Sequence, residues 1–222
     1  MFADVVDVER PRPWHRFTGR TEGDFAPDSA DVDHRRQAAA VGSWTWLRQV
    51  HGAAVVVVEA PGDHAGARAD AAVTAVPGAV LGIAVADCAP VVLVAGRAIG
   101  VVHVGWRGLV AGVIPAAVRA LRHLDPGPAH AVVGPCVRPA CYEFGEAELA
   151  SVVSVVGDGV EARTHDGRPA LDVAAGVRLA LAAAGVDECV DTGLCTTCSA
   201  DHWSHRGGGD RQRQALVAVL VA

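Results

Sequence analysis

Apolar residues fall in short runs along most of the chain, each broken by Gly, Pro or a charged residue. Ala53–Glu59 (AAVVVVE) is rich in Val, whose branched side chain packs well on a pleated surface, and predicts a strand. Ala71–Thr74, Val80–Ala86, Val91–Ala95 and Ala98–Val104 follow as further short strands. They are too closely set for a helix between each pair, which points to a hairpin-rich, partly antiparallel sheet rather than strict βαβ alternation. Leu109–Leu124 has helical spacing, with Pro115 as a local complication. Ala129–Val133 reads as a strand, and Glu146–Val156 and Leu171–Ala184 as helices. The second helix has Asp172 near its start and Gly185 after its end. Residues 19–40, polar and rich in Asp and Arg, read as a loop leading into a short helix, and Ala215–Val221 as a final strand. Strands and helices mix without a repeat, and no linker-like stretch divides them. The expectation is one α+β or layered α/β sandwich domain over residues 1–222.

Half of the 222 residues are apolar, enough for a sizeable core. The formal charge of −6 and the lack of a basic run argue against a nucleic-acid partner. No apolar run reaches membrane-spanning length, and the N-terminal MFADVVDVERPRPWHRF is not a secretory signal. A soluble, cytoplasmic protein with no membrane partner is expected. Six Cys in that setting suggest metal ligation or catalysis before a disulfide framework. The chain contains neither Lys nor Asn, so all 19 basic residues are Arg. This rules out a pyridoxal-phosphate Schiff base and a P-loop, both of which need Lys.

Four groups of residues could carry chemistry. His51 in QVHG, Cys88 in ADCAP and His103 in VHVGWRG offer the nitrogen and sulfur donors that zinc prefers, and three ligands would leave one position open, as in catalytic zinc sites. Each is also compatible with an ordinary core or edge role, since the three lie far apart in sequence. His51 is read at the start of a strand and Cys88 and His103 at strand ends, so they could converge on one sheet edge. Cys88 and His103 could instead form an activated thiolate pair. Cys195-Thr-Thr-Cys198 is half of a zinc motif or a redox pair by spacing alone; with no second CxxC beside it, a structural role is expected. Cys136 and Cys141 are read as structural, Cys136 being the better functional candidate of the two. Arg20, Arg107, Arg206 and Arg213 have the planar fork that suits phosphate or carboxylate.

In order along the chain, FTGR (17–20), LRQVHG (47–52), ADAAVT (69–74), VADCAPVVL (85–93), VVHVGWRG (101–108), VVGPCV (132–137), CYEFGE (141–146), TCSADHWSHR (197–206) and RQALVAVL (213–220) resemble the YfiH family. That family also carries names for laccase-like polyphenol oxidation, purine nucleoside phosphorolysis and peptidoglycan editing. The resemblance implies an α-β-β-α-like sandwich similar to a toxin catalytic domain that uses a Cys–His pair. It implies zinc on His51, Cys88 and His103, with catalytic roles for Cys88, His103, Arg20 and Arg206 around one pocket. The implied substrates are purine nucleosides and phosphate: phosphorolysis of adenosine, inosine and methylthioadenosine, with adenosine deamination beside it. For the deaminase proton shuttle, Glu143 and Asp87 are candidates. Alternatives are a copper-dependent polyphenol oxidase, a Cys–His amide hydrolase in peptidoglycan editing, and a zinc-stabilised binding module. This chain departs from the family at Glu22-Gly23, at Gly176, at Gln212 and in a shortened 22–34 loop, which bears on substrate scope more than on the metal site.

Overall fold

The computed structural model describes residues 11–221; the N-terminal signal reading falls largely on residues outside them. The chain folds as a mixed α/β sandwich. Its central sheet has six strands: β3 (Val55–Val58), β4 (Ala71–Thr74), β6 (Ala89–Ala95), β7 (Ala98–Val104), β8 (Ala129–Val133) and β11 (Glu188–Asp191), in the order β11-β8-β6-β7-β4-β3. A four-stranded sheet stacks on it, built from β1 (Arg12–Phe17), β2 (Trp44–Trp46), β5 (Val80–Val85) and β12 (Gln214–Val221), in the order β1-β12-β5-β2. Both sheets are mixed: β6 and β7 form an antiparallel hairpin, whereas β3 with β4, β8 with β11 and β2 with β5 run parallel.

Burial explains the apolar runs. Val92 and Val94 on β6 pack with Ile99, Leu81, Ile83, Leu216 and Leu220 in the layer between the sheets. Their neighbours Val91, Leu93 and Ala95 point the other way, into a core completed by α3 (Val113–Leu124) and α5 (Val173–Ala183). A strand covered on both faces needs apolar residues at every position, which is why β6 and β7 show no alternation. Helix α3 buries Val113, Ile114, Ala117, Val118 and Leu121, one stripe at helical spacing. On the outer face of the four-stranded sheet, Phe25, Trp44, Val80 and Val217 pack with Ala39 at the end of α1 (Val32–Ala39). The layers are therefore α-β-β-α.

The helix expected over Leu109–Leu124 is two helices. α2 (Trp106–Ala111) stops at Gly112, whose left-handed φ of 81° caps it and starts α3. Pro115 then lies in the first turn of α3, where its missing N–H has no partner to lose. Helix α4 (Glu146–Val156) lies as expected. The strands that the pattern does not reveal are β1, β2, β11 and the short hairpin β9 (Glu161–Arg163) with β10 (Pro169–Leu171). The first three sit at sheet edges, partly wet, and lack the apolar run of a central strand. Pro13 fits in β1 because an edge strand leaves one row of N–H groups unpaired.

Leu93 is fully buried in the middle of the core strand. Leu93→Ala should lower the free energy of unfolding by about 2–5 kcal/mol, read from chemical denaturation. An unchanged midpoint would mean that this layer does not carry the fold.

Candidate metal centre and its cavity

A turn, a connection and the end of strand β7 bring His51, Cys88 and His103 together. Their ligand atoms all lie within 4.8 Å of one another, and His51 Nε2 is 3.8 Å from the Cys88 sulfur. A tetrahedral ion with bonds of about 2.0–2.3 Å needs donors at roughly this spacing. His103 is the next-to-last residue of β7 and is buried. Cys88 belongs to the connection Ala86-Asp87-Cys88, in which the chain leaves the four-stranded sheet after β5 and enters the six-stranded sheet at β6. It therefore opens a strand rather than closing one. His51 does not begin a strand either: it occupies a turn ahead of β3, with a left-handed φ of 57°.

Asp70 explains that turn. Its fully buried carboxylate accepts N–H bonds from His51 (2.9 Å), Gly52 (2.8 Å) and Val50 (3.2 Å). Successive amides of a turn form a concave anion site, and here the anion is a side chain of the same protein. The same carboxylate lies 2.8 Å from His103 Nδ1. An ionised carboxylate can only accept, so Nδ1 carries the proton and Nε2 is free to ligate. Gly105 completes the packing: a Cβ there would lie 2.9 Å from His51 Cδ2 and 3.1 Å from the Cys88 sulfur. The donor set, its spacing and the carboxylate behind one imidazole all fit a bound transition metal.

Charges at the centre reinforce one another. Burial pushes the Cys88 thiol up, but the His103 charge and hydrogen bonds from both histidines bring it down to about 6. Burial likewise disfavours the His103 cation, yet the Cys88 thiolate and Asp70 hold it up at about 9. Between these values the protein alone carries a thiolate–imidazolium pair.

The centre opens into a cavity of about 550 Å³ lined by Gln49, Tyr142, His205 and three arginines, Arg107, Arg206 and Arg213. Arg206 lies over the Tyr142 ring at 4.8 Å. Arg20 is not among the lining residues. It donates to the His202 carbonyl, pairs with Asp210 at 2.8 Å and stacks 4.1 Å above Trp203. Its visible role is to hold the 201–210 segment, which also carries Arg206.

Asp87 and Glu143 are both occupied. The Asp87 carboxylate accepts from Thr196 Oγ1, Ser204 Oγ and the Arg206 amide, tying the segment after Cys195 to the loop that bears Cys88. These bonds also sustain its unusual φ of 86°. Glu143 pairs with Arg168 away from the cavity. Cys136 is fully buried, its thiol pushed up to about 12 by burial, as befits a structural residue.

Sequence reasoning did not single out Asp70 or Gln49. Gln49 bonds both backbone groups of Ala84 on β5 and so anchors the ligand loop to the other sheet. The signal is an acid inside the largely apolar ADAAVT, and a Gln two residues before the candidate ligand His51.

The result is an α/β sandwich with a His–Cys–His cluster that could hold a metal ion at the base of an arginine-lined cavity. The chain belongs to the family described as multi-copper polyphenol oxidoreductase laccase, whose pattern matches residues 18–221. A purine nucleoside phosphorylase of Streptomyces coelicolor is 48% identical over 167 residues, 72% of this chain and 68% of that protein. Another, of Deinococcus radiodurans, is 39% identical over 200 residues, 86% of this chain and 77% of that one. Among solved structures, a Neisseria meningitidis protein superposes with a TM-score of 0.80 at 23% identity, covering 90% of this chain and 86% of its own. YlmD from Geobacillus stearothermophilus gives 0.77 at 28% identity, covering 86% and 81%. Among the described residues, no helix is long and apolar enough to cross a membrane.

In protein stripped of metal, the rate of Cys88 alkylation should rise with pH through a midpoint near 6. A free thiol would show it near about 8.5. His103→Ala should move the midpoint upward, because the cation that stabilises the thiolate is gone; an unmoved midpoint would contradict the pair.

Proposed function

We propose that this chain is a zinc-dependent purine nucleoside phosphorylase, with the metal on His51, Cys88 and His103 and phosphate bound by the cavity arginines. One observation carries the reading: the donor triad and the cluster Arg107, Arg206 and Arg213 line the same cavity. Its volume falls in the usual range for small-molecule sites, about 300–1,000 Å³. The relatives named purine nucleoside phosphorylases supply the substrate class.

Phosphorolysis joins a phosphate oxygen to C1′ of the sugar as the bond to the purine breaks, and the purine leaves with the bonding electrons. When bound, zinc supplies Lewis-acid chemistry at the base of the cavity. The remaining work falls to protein groups. Arg206 presents a planar fork that matches two phosphate oxygens, and Arg107 and Arg213 add positive charge. Tyr142 offers a ring face of the kind on which a planar base stacks, next to the Arg206 guanidinium. Asp87 positions Arg206 through its backbone amide, and Arg20 supports the same segment from behind. Inosine differs from adenosine at C6 of the base and methylthioadenosine at the 5′ position of the ribose; all three are proposed substrates. Adenosine deamination is proposed as a second activity of the same cavity: water adds at C6 of the base, the C6–N bond breaks, and the amino group leaves as ammonia.

Copper is the second reading. Two histidines and a cysteine are also a copper donor set, and the family description names a laccase. The Cys–His amide hydrolase would draw on the Cys88–His103 ion pair, the same groups that would hold the metal.

Adenosine turnover with and without phosphate, together with elemental analysis, tests the proposal. Zinc at the His51–Cys88–His103 centre and phosphate-dependent release of adenine are expected. Arg206→Lys keeps the charge but loses the fork, and should lower phosphorolysis by roughly ten- to a hundredfold, equivalent to about 1.5–3 kcal/mol. Inosine formation should fall much less, since it uses no phosphate. Arg20→Lys, acting through the segment, should lower both activities together. Full activity after chelation, or equal loss of both activities in Arg206→Lys, would overturn the assignments.

A further inference from the structure

A second cluster of donors lies outside the cavity. Cys141 ends the short turn Pro139–Cys141, while Cys195 and Cys198 belong to the CTTC turn 57 and fewer residues further along the chain. Their sulfurs lie within 4.8 Å of one another, and Cys141 and Cys198 are 3.3 Å apart. We propose that Cys141, Cys195 and Cys198 form a second metal site, a three-thiolate site for a zinc-type divalent cation, distinct from the His51–Cys88–His103 centre.

Three features of the fold support a built site. The first is the seam that carries it. Cys136 and Cys195 pair as a backbone bridge, with Cys136 N–H donating to the Leu194 carbonyl and Thr196 N–H to that of Cys136. Arg138 spans the same seam, reaching the Leu194 carbonyl and both Asp191 carboxylate oxygens. The three cysteines are therefore presented by backbone that is fixed from both sides. The second feature is the CTTC turn itself. The Ser199 amide donates to the Cys195 carbonyl at 3.0 Å, closing the turn that brings the Cys195 and Cys198 sulfurs to within 4.8 Å of each other and of Cys141. The third is charge. Three thiols packed together cannot all ionise unless a cation compensates them, and a divalent ion taken up with release of thiol protons does so. Cys198 is exposed, so the fourth position faces solvent.

A role in stability follows. Thr196, between the two cysteines of the turn, donates to Asp87 beside Cys88. A cation on the three sulfurs would cross-link residues 141 and 195–198 and stiffen the segment that positions Arg206.

The test uses full-length protein purified under reducing conditions, with Cys88→Ser to disable the first centre, loaded with cobalt(II) as the probe. The Cys88→Ser protein should retain about one metal per chain and show thiolate-to-cobalt charge-transfer absorption. Adding Cys141→Ser, Cys195→Ser and Cys198→Ser should abolish both. Should that combination fail to fold, X-ray absorption on the Cys88→Ser protein reads the ligands directly, and a shell dominated by sulfur is expected. Reduced Cys88→Ser protein that binds no cobalt or zinc would overturn the proposal. So would a sulfur-poor ligand shell, or a Cys141–Cys198 disulfide whose reduction restores no metal binding. Because the first centre is already disabled, none of these results bears on the zinc phosphorylase reading.

Discussion

The candidate centre depends on one buried carboxylate. Asp70 is fully inaccessible to solvent, and an unpaired carboxylate there would cost many kcal/mol. It is instead met by the amides of residues 50–52 and by the His103 imidazole. One side chain thus does two things. It holds the left-handed turn that aims His51, and it fixes the proton on His103 Nδ1 so that Nε2 faces the site. Two of the three candidate donors are placed by an acid that does not itself line the cavity.

Asp87 plays the corresponding part for the cavity wall. Its backbone is strained at a φ of 86°, and its carboxylate gathers Thr196, Ser204 and the Arg206 amide. The loop that crosses between the two sheets consequently serves both halves of the site. It carries Cys88 on one side and orders the arginine segment on the other. The N- and C-terminal parts of the chain meet here as well, since Arg20 pairs with Asp210, which also accepts from the Ser204 amide. A turn, a connection and a strand end thus bear His51, Cys88 and His103, and the cross-linked segment after Cys195 bears Arg206, which lines the same cavity.

Much of this is legible in the sequence, for definite reasons. Strands buried on both faces, such as β6 and β7, announce themselves as unbroken apolar runs. The donors His51, Cys88 and His103 can be named from their motifs. Edge strands such as β1 and β11 are half wet and carry no such pattern. Asp70 is hidden for a different reason: all its partners but His103 are backbone amides, which every sequence has. The third member of the cysteine cluster is also invisible along the chain, because Cys141 reaches Cys195 and Cys198 only through the pairing of Cys136 with Cys195. Arg20 and Arg206 look alike as motif arginines, and only the fold separates the one that lines the cavity from the one that supports it.

The most direct test of the central role of Asp70 is the zinc affinity of Asp70→Asn, measured by competition with a chelator alongside a circular dichroism spectrum. Removing the charge that orients both histidines should weaken zinc binding by about 10- to 100-fold while the spectrum of the folded protein is retained. Wild-type affinity in a folded Asp70→Asn protein would show that the donors are placed by other means and would contradict this account of the centre.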